Sequence, residues 1–97
     1  AIAPATSSKY YTEEVRERLL QLLSKDPNEY TLEDVRELNR IADLIFMEYE
    51  ETRREELLEY QAKLRVAAQL IKIVFVEPKI MRGEQVLKPG APVEKKG

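Results

Sequence analysis

From Leu32 to Glu77 the chain contains neither glycine nor proline. A stretch of that length, without a residue that frees or locks the backbone, has few ways to turn and strongly favours helix. Within it, Val35, Leu38, Ala42, Ile45 and Tyr49 step by three and four, flanked by Ile41, Leu44 and Phe46. Leu57, Tyr60, Leu64, Ala67, Ile71 and Val74 repeat the stepping. Both runs read as the apolar stripe of an amphipathic helix. Between them Glu50-Glu51-Thr52-Arg53-Arg54-Glu55-Glu56 carries no apolar side chain. One architecture is a single helix of about 45 residues, roughly 67 Å long. The other is two helices bent near Glu50–Glu55. Glu and Arg are good helix formers and no turn residue intervenes, so local propensity leans to a continuous or slightly kinked helix. Burial argues for a sharp helical hairpin, because a domain this small must fold its stripes together.

A shorter helix precedes this region. Thr12 is a good N-cap, and Glu13 and Glu14 suit the positive end of the helix dipole. Val15, Leu19, Leu22 and Leu23 recur at helical spacing, and Leu20 widens the stripe. Asp26-Pro27-Asn28 ends it after about 12 residues, too few to stand without packing. The next start is strongly marked. Thr31 with Asp34 at N3 is an Asp form of the capping box, and Tyr30 and Val35 have the spacing of a hydrophobic staple. The short connection suits an antiparallel pair.

Outside the helical pattern, residues 1–11 read as a flexible leader and residues 78–97 as an extended basic tail, leaving 12–77 as the helical domain. Pro78 makes Glu77 the expected helix end. Lys72-Ile73-Val74-Phe75-Val76 is β-branched and aromatic enough for a strand, or it ends the helix. Lys79–Met81 and Gln85–Leu87 flank Arg82-Gly83-Glu84 as a short hairpin or an extended arm. Residues Ala1 to Pro78 carry 11 basic and 16 acidic side chains, and Lys79 to Gly97 carry 5 and 2. The expected fold is all-α: a helical hairpin or small bundle with one long element, a short N-terminal helix and a C-terminal tail.

The composition removes most chemistry. Without Cys or His there are no disulfides, thiolate or imidazole metal sites, or His and Cys catalytic sets. The many Glu residues, Glu48 and Glu50 among them, read as a solvated face beside Arg53, Arg54 and Lys63. No enzyme, cofactor, metal or small-molecule substrate is therefore expected. A net charge of -2 disfavours general nucleic-acid binding. No apolar run spans a bilayer, and Ala1–Ser8 lacks a signal-peptide layout, so the expected location is cytoplasmic, a virion or an organelle matrix.

The run Val66–Val76 is apolar on more than one helical face, more than the first helix can cover. This excess predicts a protein partner or self-association, coiled-coil-like, with the charged middle segment setting register. The candidate interface residues are Leu38, Ile45, Tyr49, Tyr60, Leu64, Ile71 and Phe75. In the tail, Lys79, Arg82 and Lys88 are candidates for contact with phosphate or an acidic partner. They support an alternative reading as a nucleic-acid-associated regulator. The phrase from Val66 to Ile80, in which a hydrophobic helix runs into Val76-Glu77-Pro78-Lys79-Ile80, resembles small bacteriophage tail assembly chaperones. That resemblance implies a viral, non-enzymatic assembly role in which apolar helix faces hold a tail protein. It carries over no individual residue.

Overall fold

The computed structural model describes residues 3–6 and 9–83. Helix α1 (Glu13–Leu23) is followed by a 3-10 turn (Pro27–Glu29) and by α2 (Leu32–Thr52). After a tight reversal α3 (Glu55–Ile71) runs back along α2. It continues through a π-helical turn (Lys72–Val76) into α4 (Glu77–Met81), forming an unbroken rod of 27 residues, about 40 Å long. Among the described residues there is no strand.

The local signals act as their chemistry dictates. Thr12 Oγ1 accepts from the Val15 N–H at 3.4 Å. At α2 the capping box is complete: the Asp34 N–H donates to Thr31 Oγ1 at 3.1 Å and the Thr31 N–H to Asp34 Oδ2 at 3.0 Å. Lys25 adds an ion pair to the same Asp34 oxygen at 2.5 Å. Tyr30 and Val35 are both buried. The Tyr30 hydroxyl donates to the Leu22 carbonyl at 2.7 Å, tying the end of α1 to the start of α2.

The choice between one long helix and a hairpin falls to the hairpin. Arg53 takes the left-handed conformation at φ 60° and ψ 25°, and its N–H donates to the Tyr49 carbonyl. A helix can thus end in αL without glycine, at a local cost near 1 kcal/mol. Burying Leu38, Ile45, Leu57 and Leu64 between two stripes outweighs that cost several-fold, since each fully buried Leu or Ile contributes about 1.5–3 kcal/mol. Asp43 of α2 and Arg65 of α3 pair at 2.9 Å, fixing the antiparallel register. Helix α1 lies antiparallel to α2, held near its middle by the Arg18 guanidinium, which grips Glu37 through two bonds of 2.6 and 2.8 Å. That hydrogen-bonded guanidinium holds the Glu37 carboxyl below the usual carboxylate range.

Three boundaries depart from expectation. Lys72–Val76 is neither strand nor ordinary helix end but a π turn, in which the Glu77 N–H reaches back to the Lys72 carbonyl. The wider turn accounts for the second departure. Proline within an α-helix clashes with the carbonyl four residues earlier, and a π turn displaces that carbonyl. Helix therefore passes Pro78 and ends at Met81, so Lys79–Met81 is helical, not part of a hairpin or extended arm. The remainder of the proposed tail, Lys88 included, lies outside the described residues. The third is the leader, which is strapped down where it is described. Ala3 is buried. The Pro4 carbonyl accepts from the Tyr11 hydroxyl at 2.9 Å and from Arg16 Nε at 3.1 Å. The Ala5 carbonyl accepts from Arg54 at 3.1 Å.

Candidate protein interface

The α2–α3 hairpin divides the long rod into two faces. Leu57, Gln61, Leu64, Ala68 and Val76 point inward and are buried. The opposite side begins with Glu55, Glu56 and Glu59, all exposed, and then becomes apolar. Val66 is 60% exposed, Leu70 56%, Ile73 48% and Val74 53%. Ile80 at 44% and Met81 at 86% extend the apolar surface to the rod's end. Spacings of three and four between Val66, Leu70, Ile73 and Val74 keep these side chains on one helical face. The outer positions of α2 differ: Arg36, Asn39, Arg40, Asp43 and Glu50 are exposed polar groups, interrupted by Met47. Isolated exposed apolar residues are ordinary, but a continuous line of them on one helix is not.

The interface residues expected from periodicity sit elsewhere. Leu38, Ile45 and Leu64 are buried inside the hairpin. Tyr49, Tyr60 and Ile71 are half-buried against the same core. Phe75 is half-buried beside a hollow of about 350 Å³ lined also by Asn28, Val74, Pro78, Lys79 and Arg82. These side chains hold the monomer together because the regular stripes of α2 and α3 close on each other. The surplus predicted for Val66–Val76 does exist, on the second face of that run. Its signal was the all-round apolarity: with the Leu64–Ala68–Ile71 line assigned inward, Val66, Leu70, Ile73 and Val74 remain.

Of the tail candidates, Lys79 donates from Nζ to the Asn28 and Tyr30 carbonyls, bracing the end of the rod against the connection between α1 and α2. Arg82 is exposed. The expectation of a solvated Glu48 is overturned. Only 2% exposed, it accepts from the Tyr10 N–H at 2.5 Å and the Tyr11 N–H at 2.9 Å, replacing water for two backbone groups just before α1. Burial pushes the Tyr11 hydroxyl up to about 12 and raises those of Tyr30 and Tyr60.

A second hollow of about 350 Å³, lined by Ala3, Pro4, Ala5, Glu56, Glu59, Tyr60 and Lys63, separates the leader from α3. Glu56 is there engaged by Arg54. Among the described residues no group of three or more acidic side chains gathers as a metal site, and no helix is long and apolar enough to cross a membrane. No family model, curated protein or solved structure matches this chain.

Proposed function

We propose that the chain is a non-catalytic protein–protein interaction subunit, an assembly factor or small structural component. It docks through the outer face of its long C-terminal helix. One observation carries this reading: Val66, Leu70, Ile73 and Val74 lie exposed along one line of a helix whose opposite line is already spent on the core. Water contact with that line costs free energy that docking recovers, at roughly 25 cal/mol per Å² of apolar surface covered. The resemblance of Val66–Ile80 to bacteriophage tail assembly chaperones suits the same use, an apolar helix face presented to a structural protein. A nucleic-acid role through the basic tail has less behind it, since Lys79 is already engaged by two carbonyls.

The test is Leu70→Asp with Val74→Asp, purified from the native source beside the wild type. The expected outcome is loss of the bound protein, copy or partner, with an unchanged thermal melting curve. A wild-type chain that binds nothing and fails to take up an apolar-surface dye refutes the reading.

A further inference from the structure

We propose a second binding site, separate from the apolar line: the groove between the start of α1 and α3 takes an extended small–proline–small peptide segment, and the leader Ala3-Pro4-Ala5 fills it in cis as a displaceable strap. The way the leader is held carries the inference. The Tyr11 hydroxyl and Arg16 Nε both donate to the Pro4 carbonyl, and the Arg54 guanidinium donates to the Ala5 carbonyl. These donors come from just before α1, from α1 itself and from the reversal that precedes α3, and all three bonds end on main-chain carbonyls. Such donors read a backbone, so they serve another segment laid along the same path equally well. Tyr11 is packed in the core, which sets its hydroxyl in place. Side-chain selection falls to the seat of Ala3, which is buried in that core, so a charged or long residue there is disfavoured. Proline suits the next position. Its ring fixes its own backbone angle and biases the preceding residue toward extended geometry, which lowers the ordering cost of binding. The strap also underfills its groove: on the α3 side, a hollow of about 350 Å³ lies between its small side chains and Tyr60. The leader is thus held by backbone bonds more than by side-chain packing, and a competitor with the same backbone can exchange with it.

A segment tethered beside its own groove has an effective concentration of about 1 mM, so a strap seated roughly ten times more often than not implies a dissociation constant of about 0.1 mM for the same segment in trans. The probe is a synthetic peptide of residues 1–8, Ala-Ile-Ala-Pro-Ala-Thr-Ser-Ser, with blocked ends and a C-terminal fluorophore, titrated into the full-length protein. In the Ala3→Asp protein a charge at the buried seat lifts the strap, and the peptide is expected to bind with a dissociation constant of about 0.1 mM or below. The wild type, whose own strap competes, should bind about tenfold more weakly. The same peptide with Ala3→Asp should bind neither protein. Adding Tyr11→Phe to the Ala3→Asp protein keeps the ring, removes one carbonyl donor and should weaken peptide binding about fivefold. Helical circular dichroism checks that the hairpin persists in each variant, and Ala3→Gln, neutral but long, takes the place of Ala3→Asp if the charge unfolds the chain. Absence of peptide binding to a folded variant at about 1 mM, or equal binding by the variant and the wild type, overturns the proposal and leaves the leader as a structural clasp. Unfolding of both position-3 variants overturns it too, because a strap that cannot leave cannot be exchanged.

Discussion

Glu48 is the residue on which the N-terminal end of the fold turns. One of its carboxylate oxygens accepts two backbone N–H groups, those of Tyr10 and Tyr11, and burial leaves neither a simple alternative partner in water. Glu48→Ala is expected to lower stability by about 2 kcal/mol, the cost of leaving buried donors unmet, or roughly 10 °C in Tm. Glu48→Gln retains an acceptor oxygen and should lose less than half as much. Equal losses in thermal melts of the two variants would show that packing, rather than hydrogen bonding, is what Glu48 supplies. The tyrosines add a pH dependence of known sign. Tyr11 ionises near 12 in the folded chain, against an ordinary value of 10.0. Its neutral form is therefore favoured by folding, and that stabilisation is complete below pH 10 and drains away as pH rises from about 10 to 12. Tyr30 and the half-buried Tyr60 shift the same way, because packing strips water from both hydroxyls. The expected result is alkaline unfolding over that window, with tyrosinate absorbance appearing together with loss of helical circular dichroism. Tyrosinate forming well before any helix is lost would contradict it.

At the scale of elements, the caps and stops were legible in the sequence because each depends on a few neighbouring side chains. Thr12, Thr31 with Asp34, and Asp26-Pro27 all act within one turn of themselves. The reversal at Arg53 was legible only as one of two architectures, argued from burial, since nothing local demands it. It follows from the long-range gain of closing Leu38 and Ile45 on Leu57 and Leu64. The π turn was hidden for a related reason: Pro78 reads as a stop unless the preceding turn widens to admit it. The strained position gives a prediction. Arg53 has φ 60°, and its guanidinium lies 5.5 Å from the Tyr49 ring centroid. Arg53→Gly relaxes the backbone and loses the ring contact, so stability should change by no more than about 0.5 kcal/mol. Arg53→Val loses the contact and worsens the strain, and is expected to cost about 1–2 kcal/mol in denaturant unfolding. Equal losses for the two would assign the cost to the cation–ring contact.

At the scale of the whole molecule, a short chain has been asked to make a long rod, and α1 with the leader covers only part of what the rod exposes. The sequence announced a surplus in Val66–Val76 but not its direction. Direction depends on which line of α3 meets α2, a tertiary choice fixed by the reversal and by register contacts such as Asp43–Arg65. The regular stripe residues Leu38, Ile45 and Leu64 were thus read as outward-facing when they are the interior. Two substitutions on the same helix separate these roles. Leu64→Ala removes a side chain that is almost fully buried and leaves a cavity, so a loss of about 2–5 kcal/mol is expected in equilibrium unfolding. Leu70→Ala removes the same atoms from an outer position that is more than half exposed, so the change in the isolated chain should stay within about 0.5 kcal/mol. Binding should reverse the order per unit of stability lost: Leu70→Ala weakens association while the fold persists, whereas Leu64→Ala weakens association only as far as it unfolds the chain. Equal destabilisation by both would mean that the outer line is covered within the monomer. Unequal destabilisation, with association tracking Leu70 alone, separates the residues that make the hairpin from those that give it something to hold.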